Sequence, residues 1–343
     1  MAVTVTLRLG LLCCLLLGGA CERAARLPQH ELHGHTMGTE FSVKLVSPPP
    51  AAIAGSALRE AIVAALEHVD ALASTYRPDS EISAVNAAAT TDWLPVSAEF
   101  CAVIERALAL SGRTGGAFDI TVGPLVNLWG FGPPGAVLEP PAEDAVAAAR
   151  RRTGFGKLHT DCDVPAVRKD RNDLYLDLSG WAKGYAVDRV AALLEERGIG
   201  NYLVEIGGEL RVHGHNAAGA RWAVAVEQPR DAGRGVQRVV RVTDAGIATS
   251  GDYRNFFIYE GRRYSHTIDG RSGRPVAHDL ASVTVLDRSA ARADGMATAL
   301  LVLGPEDGPA LAERLGLAGY FLIRAGDGFV ERTTSTFDNR TSR

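Results

Sequence analysis

Apolar residues recur at helical spacing in several stretches of the chain, and each stretch predicts an amphipathic helix. The first predicted helix begins at Ser56, a good N-cap residue, and presents one apolar face. That face consists of Leu58, Ile62, Leu66, Val69 and Leu72. The other predicted helices span about 97–111 with Gly112 at the end, 142–152, 181–197 with Gly198 as C′ residue, and the pair 293–303 and 309–315.

Shorter stretches in which apolar and polar residues alternate predict strands. They cover 40–46, 174–178, 202–206, 209–213, 222–226, 238–242, 282–286, 320–324 and 329–332. The strands at 174–178 and 202–206 flank a helix, whereas many later strands follow one another directly. We therefore expect an α+β fold with a largely antiparallel sheet, arranged in two closely packed lobes.

The first twenty residues have the pattern of an export signal, with Arg8 before an apolar run that is too short to span a bilayer. The run ends in Leu17-Gly18-Gly19-Ala20-Cys21, which resembles a bacterial lipobox except that a typical lipobox has Leu at the position of Gly18. We expect a lipoprotein signal peptide at 1–20, a lipid on Cys21, a tether at 21–33 and the folded domain at 34–343. This organisation places the protein in the bacterial periplasm, anchored to the inner or the outer membrane. A plain cleaved signal and an ordinary N-terminal helix are the alternatives.

Charge and cysteine content narrow the possible partners. The chain has 343 residues, a formal net charge of −4 and no long basic run, so binding of nucleic acid through charge is not expected. A small molecule or another protein is the expected partner. Once the signal is removed and Cys21 carries a lipid, only Cys101 and Cys162 remain. They could pair in an oxidising compartment, which the sequence leaves open, and without nearby histidines they do not indicate a zinc site.

The segment from Asp177 to Asp188 combines an acid at the end of a predicted strand, a turn at Gly180 and Lys183 in the first turn of a helix. A helix start offers free backbone N–H groups and a positive dipole end, so this segment suits a phosphate-bearing ligand. It lacks the glycine spacing of a P-loop. A capped structural helix is the alternative interpretation.

A second segment, 293–298, places Asp294 and Thr298 at positions i and i+4, so both side chains share one face of a helix. One carboxylate and one hydroxyl suit a partial ligand shell for Mg²⁺, which keeps several waters and takes further oxygens from phosphates. The alternative is that Asp294 caps the helix and Thr298 is satisfied locally.

Two polar, glycine-rich segments, 248–254 and 264–273, lie between predicted strands, where ligand contacts are common. His266 in the second segment could act as an acid or base, or could be a hydrogen-bonded structural histidine. The step from Ile206 to Glu209 contains Gly207-Gly208 and predicts a tight turn that lets a ligand approach the backbone, with a simple hairpin as the alternative.

In their order along the chain, these segments resemble the ApbE family, the FAD:protein FMN transferases. The matching segments are 36–39, 74–83, 116–125, 177–188, 201–208, 250–253, 265–273 and 293–298. Each segment is modest alone, but together they make the resemblance specific across nearly the whole mature chain. One departure lies at Gly270 and Ser272, where many relatives have Pro and Thr, so the loop after Ile268 is expected to be looser.

The resemblance implies a two-lobed fold that holds FAD in a cleft between the lobes, with Mg²⁺ on the FAD pyrophosphate. The implied FAD contacts are Met37, Tyr76, Ala117, Phe118, Asp119, Asp177, Lys183, Ser250, Gly251 and Ile268. The implied metal ligands are the Gly180 carbonyl, Asp294 and Thr298. In the implied reaction a threonine or serine hydroxyl of an acceptor attacks the FMN-side phosphorus, AMP departs, Lys183 assists, and His266 or Asp252 accepts the proton.

The implied acceptors are flavin subunits of membrane redox complexes, such as those resembling sodium-translocating NADH:quinone reductase or the Rnf complex. A lipid anchor would keep the enzyme near them. Two other functions fit the same residues: a hydrolase that cuts FAD to FMN and AMP, and a protein that binds FAD without breaking it. Covalent flavin on the acceptor, free FMN with AMP, or intact FAD would distinguish the three.

Overall fold

A computed structural model describes residues 26–230, 233 and 235–341. The predicted signal peptide and Cys21 lie outside these residues. None of the helices in the described ranges combines the length and apolar character needed to cross a membrane.

The structure contains the predicted helices, with boundaries that differ by a few residues, and three short helices that were not predicted, at 81–87, 123–128 and 335–341. In chain order the helices are α1 Ala57–Ala73, α2 Glu81–Ala87, α3 Ala98–Arg113, α4 Gly123–Leu128, α5 Glu143–Arg151, α6 Ala182–Glu196, α7 Ala290–Arg314 and α8 Ser335–Thr341. Ser56 precedes α1, but its side chain makes no capping hydrogen bond. Gly198 has a φ of 71° just after α6, as its predicted C′ role requires.

The strands are more numerous than predicted. They are β1 Gln29–Thr36, β2 Thr39–Val46, β3 Trp93–Pro95, β4 Leu158–Asp161, β5 Ala166–Lys169, β6 Tyr202–Ile206, β7 Glu209–His213, β8 Trp222–Glu227, β9 Val236–Val242, β10 Ala245–Gly251, β11 Phe256–Tyr259, β12 Arg262–Ser265, β13 Ile268–Asp269, β14 Arg274–Pro275, β15 Leu280–Asp287, β16 Ala318–Ala325 and β17 Gly328–Thr333.

The main sheet has eight strands in the order β1-β2-β6-β7-β10-β15-β16-β17. Every neighbouring pair in it is antiparallel, so the predicted α+β class with a largely antiparallel sheet is confirmed. Alternate residues of β6 show how the layers form: Tyr202 and Val204 pack with α1 and α6 on one face, whereas Leu203 packs with β8 and β9 on the other.

The predicted tether at 21–33 is too long, because residues 29–33 belong to β1. β1 pairs with β2 from Gln29 to Thr36 through a two-residue turn at Met37 and Gly38. Both turn residues have positive φ, 48° and 72°, as the tight hairpin turn requires. The strand was missed because it is an edge strand with mostly exposed side chains, so it shows little apolar alternation.

The predicted strand at 174–178 is also wrong. The segment pairs with no strand among the described residues, because its backbone groups find other partners. The Asn86 side chain bonds both the N–H of Leu176, at 2.6 Å, and its carbonyl, at 2.9 Å. The N–H of Asp177 donates to the Ile120 carbonyl at 2.8 Å, which ties this segment to the loop that carries Asp119.

The predicted helix pair near the C-terminus is the element α7, broken at Gly304, whose φ of 84° and ψ of −171° are not helical. α7 begins at Ala290, earlier than predicted, and the Ser289 side chain caps it by accepting from the N–H of Arg292. Asp294 therefore lies inside the helix, and the interpretation of Asp294 as an N-cap is wrong.

Cys101 on α3 forms a disulfide with Cys162, which follows β4, across a Cα–Cα distance of 5.7 Å. The pairing that the sequence left open is therefore present. It joins the small sheet of β3, β5 and β4 to α3.

Candidate functional site

A cavity of about 880 Å³ lies against the main sheet, and segments far apart in sequence line it. Most of the predicted site residues lie on its walls: Ala117, Phe118, Asp119, Asp177, Gly180, Lys183, Ser250, Gly251, His266, Ile268, Asp294 and Thr298. A concave site with convergent polar groups is the usual form of a small-molecule site.

The turn before α6 is held by Asp177, whose Oδ1 accepts hydrogen bonds from the Ser179 N–H at 2.7 Å and the Ser179 hydroxyl at 2.5 Å. This turn presents Gly180 directly to α7. A Cβ atom at Gly180 would lie 3.1 Å from Thr298 Oγ1 and 3.4 Å from the Phe118 ring. The structure thus brings the Gly180 turn and the Thr298 face of α7 together, although more than a hundred residues separate them.

Asp294 lies one helical turn before Thr298 and is only 3% exposed. Its Oδ2 accepts from the N–H of Gly184 in the first turn of α6, at 3.2 Å. The hydroxyls of Thr298 and Ser250 are 3.1 Å apart, which adds β10 to the same cluster. Burial raises the pKa of Asp294.

The close crossing of α6 and α7 depends on Gly184. A Cβ there would lie 2.4 Å from the Ala290 carbonyl oxygen and 2.7 Å from the Ala291 Cα, both backbone atoms. Glycine therefore lets α6 approach α7 closely enough for Asp294 to reach the N–H of residue 184.

Lys183 projects beside this cluster and forms an ion pair with Glu209 at 2.7 Å. Glu209 is 3% exposed, and burial raises its pKa to about 7 against the opposing effect of Lys183. Burial lowers the pKa of Lys183, but Glu209 and Asp294 outweigh burial and the net pKa is raised. Two buried carboxylates thus share one ammonium, an arrangement that favours an added cation.

Glu209 was not predicted as a site residue. Its signal in the sequence is the Gly207-Gly208 pair immediately before it, which predicts a tight turn that admits a ligand, or a simple hairpin, but assigns no role to Glu209 itself. Gly207 and Gly208 both have positive φ, and both line the cavity.

The carboxylate of Asp119 organises its own loop. Its Oδ1 accepts from the Thr121 N–H and hydroxyl at 2.8 and 2.7 Å, and its Oδ2 accepts from the Phe155 N–H at 3.0 Å. Burial raises the pKa of Asp119. The loop at 269–273 lies against this residue, since a Cβ at Gly270 would be 3.9 Å from Asp119 Cβ.

The loop after Ile268 is closed by its own hydrogen bonds. The Gly273 N–H donates to the Asp269 carbonyl at 2.7 Å, and the Arg271 N–H donates to the Asp269 carboxylate at 2.9 Å. Ile268 is 7% exposed and lines the cavity. The segment is therefore tied down despite Gly270 and Ser272.

The two candidate bases have different surroundings. His266 lines the cavity, and its Nδ1 lies 3.0 Å from the Asn255 carbonyl oxygen. A carbonyl only accepts, so Nδ1 carries the proton and Nε2 of the neutral ring is left as an acceptor. Burial lowers the pKa of His266, which favours this neutral form.

Asp252 is instead committed to a bidentate ion pair with Arg324 on β16, with one contact at 2.9 Å. It is 6% exposed and is not among the described residues that line the cavity. The prediction that Asp252 is a candidate base is therefore not supported by its position, and its role here is to fix the end of β10 to β16.

Met37 and Tyr76 also lie off the cavity wall. Met37 sits in the β1–β2 turn and packs against the core clusters of both α6 and α7. Tyr76 is 67% exposed, and its hydroxyl donates to the carbonyl of Phe131, a cavity-lining residue, at 3.4 Å. Burial and the Asp177 carboxylate raise the pKa of Tyr76.

No three His, Cys, Asp or Glu side chains gather into a metal-binding group in the part of the chain that the structure describes. The predicted cation ligands are of another kind: one carboxylate, one hydroxyl and one carbonyl. Such a set fits Mg²⁺ when phosphates and waters supply the remaining oxygens.

Comparisons with known proteins agree with this geometry. The sequence profile of the ApbE family matches residues 37–321. The FAD:protein FMN transferase of Vibrio cholerae serotype O1 is 44% identical over 323 residues, which cover 94% of this chain and 95% of that protein. The FAD:protein FMN transferase of Klebsiella pneumoniae is 42% identical over 300 residues, or 87% and 85% of the two chains.

Solved structures show the same similarity. The flavin transferase ApbE from Vibrio cholerae superposes with a TM-score of 0.84 at 43% identity, covering 92% of this chain and 99% of that one. The ApbE protein from Thermotoga maritima gives a TM-score of 0.82 at 29% identity, covering 92% and 99%.

Proposed function

Because this chain belongs to the ApbE family of FAD:protein FMN transferases, we propose that it moves FMN from FAD to a threonine or serine hydroxyl of an acceptor flavoprotein, with Mg²⁺ bound and AMP released. The observation that carries the proposal is the convergence of Gly180, Asp294 and Thr298 beside Lys183. A pyrophosphate needs cationic and hydrogen-bonding groups at one place, and this cluster supplies them.

In the proposed reaction the acceptor oxygen forms a bond to the FMN-side phosphorus, and the bond from that phosphorus to the bridging oxygen of AMP breaks. The acceptor proton passes to Nε2 of His266, the free ring nitrogen in the neutral tautomer. AMP leaves with the bridging oxygen.

Each chain residue has a separate task in this scheme. Lys183 places a positive charge beside the phosphates, and Glu209 holds the Lys183 ammonium in place. Asp294, Thr298 and the Gly180 carbonyl would hold Mg²⁺, which supplies neutralisation of phosphate charge when it is bound. The walls against which FAD would lie are formed by Ala117, Phe118, Asp119, Asp177, Ser250, Gly251 and Ile268. The proposed contacts Met37 and Tyr76 lie outside these walls, and Tyr76 is linked to them by its hydrogen bond to the carbonyl of Phe131.

The cellular setting is proposed on the sequence pattern at the N-terminus. A signal at 1–20 and a lipid on Cys21 would export the enzyme to the periplasm and keep it at a membrane. Its acceptor would then be the flavin subunit of a membrane redox complex. Mass spectrometry of the mature protein tests this, because a lipidated N-terminal Cys21 is expected, and an unmodified start elsewhere would contradict it.

The activity test combines FAD, Mg²⁺ and the flavin subunit of a sodium-translocating NADH:quinone reductase with the enzyme, and follows protein mass and free nucleotides. We expect the acceptor to gain FMN and AMP to appear in equal amount. Free FMN without labelled acceptor would identify a hydrolase, and intact FAD would identify a binding protein.

A matched pair of variants connects this activity to the site. Thr298→Val should slow transfer and raise the Mg²⁺ concentration that transfer requires, because it removes one cluster oxygen. Thr153→Val also removes a threonine hydroxyl, one that donates to the Arg150 carbonyl at 2.9 Å outside the cavity, and should transfer normally. Equal rates in the two variants would contradict the proposed cation site.

A further inference from the structure

One part of the cavity is not used by the residues that are predicted to bind FAD or the cation. We name it the β8 groove: its floor is formed by Ser42, Lys44, Leu203 and Glu205 on β2 and β6, and its wall by residues 223–226 of β8. The groove belongs to the same cavity as Lys183 and Asp294.

The wall of the groove is the backbone edge of a strand. β8 pairs with β9 along one edge, and no other strand in the described ranges pairs with it. Val224 and Val226 are buried, Ala223 and Ala225 are exposed, and yet all of them line the cavity. Successive side chains of a strand point to opposite faces, so a cavity that meets all of them faces the strand edge. An unpaired edge presents N–H and C=O groups to an added strand.

Both the floor and the wall of the β8 groove extend toward the Lys183–Glu209 ion pair. On the floor, Glu205 accepts from the Gly208 N–H at 2.9 Å, and a Cβ at neighbouring Gly207 would lie 3.4 Å from Lys183 Cδ. At the wall, Glu227 ends β8 and forms an ion pair with Arg254, which also lines the cavity. A chain lying in the groove would thus reach the Lys183–Glu209 pair.

We propose that the β8 groove binds an extended segment of the acceptor protein, which pairs with the free edge of β8 and delivers its hydroxyl side chain to the cluster of Lys183 and His266. The proposal rests on the proposed function, because transfer of FMN to a protein requires the acceptor backbone to enter this cavity.

An extended segment suits the site for two reasons. Threonine and serine side chains are short, so the acceptor backbone itself must come close to the phosphorus. A helix with its side chains is about 10–12 Å across, whereas an added strand lies only about 4.8 Å from its neighbour. Main-chain pairing with β8 then provides affinity that depends little on the sequence of the bound segment. The floor of the groove contacts the side chains of that segment and so provides specificity.

The floor favours a polar segment. It offers the Ser42 hydroxyl, the Glu205 carboxylate and the half-exposed Lys44 ammonium, with Leu203 as its apolar member. Lys44 lies 3.6 Å from Glu31 at the surface, so it can turn toward an acidic side chain of the bound segment. The expected occupant is a polar, hydroxyl-bearing strand.

The test compares two arginine substitutions on the same hairpin. Ala225→Arg places a large side chain at the free edge of β8. Val239→Arg changes the residue paired with Ala225 on β9, which is also exposed but does not line the cavity. The probes are the flavin subunit named above and a synthetic peptide from it centred on the acceptor hydroxyl, with and without backbone N-methylation at alternate residues. FAD binding and thermal unfolding are measured in parallel.

We expect Ala225→Arg to reduce acceptor labelling on the order of tenfold through a raised KM for the acceptor, with FAD binding unchanged. Val239→Arg should behave as the wild type. One set of N-methyl positions should abolish labelling of the peptide and the alternate set should not, because only one edge of the segment pairs with β8. Equal labelling by both variants, or equal labelling of both methylated peptides, would contradict the proposal that the acceptor binds in the β8 groove. Absence of labelling by the wild type would instead refute the proposed function.

Discussion

Gly184 is the position where adding one methyl group, by substitution with alanine, should disturb the geometry of the site most. A Cβ there would lie 2.4 Å from the Ala290 carbonyl oxygen, where ordinary contacts begin at 3.4 Å, so α6 and α7 must separate by about 1 Å. The atoms nearest to this Cβ, the Ala290 carbonyl group and the Ala291 Cα, all belong to the backbone, so no side chain can rotate away. Gly184→Ala should therefore cost about 1–3 kcal/mol of unfolding free energy, the usual range for an overpacked core.

The same displacement should reach the reaction. It moves the N–H of residue 184 away from Asp294, at present 3.2 Å, and moves the Gly180 turn away from Thr298. A misplacement of about 1 Å can cost on the order of a hundredfold in rate. We expect a loss of that order in kcat, together with a higher requirement for Mg²⁺.

The assay pairs urea unfolding with transfer kinetics, and the control is Gly112→Ala. Gly112 is also a helical glycine, but a Cβ there meets nothing within 4 Å. Gly112→Ala should be neutral or stabilising by up to about 1 kcal/mol, with normal activity. If Gly184→Ala kept wild-type stability and rate, the argument that this helix crossing positions the site would be refuted.

Further predictions concern single groups. The pKa of Glu209 is raised to about 7 from its ordinary value of 4.5, so its contribution to stability is present below pH 4.5 and is lost as pH rises through 7. In urea titrations of the metal-free protein, the unfolding free energy of Glu209→Gln should therefore vary less with pH than that of the wild type. An identical pH dependence would contradict the raised pKa of Glu209. His266→Ala should slow transfer strongly. In Glu209→Gln, which removes the carboxyl whose pKa is raised to about 7, the rate should fall only below the ordinary histidine pKa of 6.5, since burial lowers the pKa of His266; an acid limb above 6.5 in that variant would exclude His266 as the base. Replacing Cys101 and Cys162 by serine opens a loop of 61 residues and should cost about 4 kcal/mol, measured by urea unfolding with and without reductant; a loss below about 1 kcal/mol would show that the link contributes little.

Periodicity predicted the amphipathic helices well because their burial is one-sided. α1 buries Leu58, Ile62 and Leu66 as the sequence indicates, and the strands at 202–206 and 209–213 have the predicted boundaries. Edge strand β1 was missed and the segment at 174–178 was wrongly predicted as a strand, for reasons opposite to each other. β1 lacks apolar alternation, whereas 174–178 has the apolar content of a strand but is held by the Asn86 side chain and a loop.

The candidate site was predictable in its parts but not in its assembly. The i, i+4 spacing put Asp294 and Thr298 on one helix face, yet no local pattern could join them to Gly180. That juxtaposition depends on the close crossing of α6 and α7 at Gly184. Glu209 was not predicted because its importance comes from burial beside Lys183, a tertiary property. The ion pair of Asp252 could not be predicted because its partner Arg324 lies 72 residues away.

The most direct test of the central claim is anomalous diffraction from crystals of the enzyme with FAD and Mn²⁺ in place of Mg²⁺. The account predicts a single strong peak within ligand distance, about 2.0–2.3 Å, of oxygens from Gly180, Asp294 and Thr298 and of the FAD phosphates. A peak bound elsewhere, or FAD seated with its phosphates away from this cluster, would contradict it.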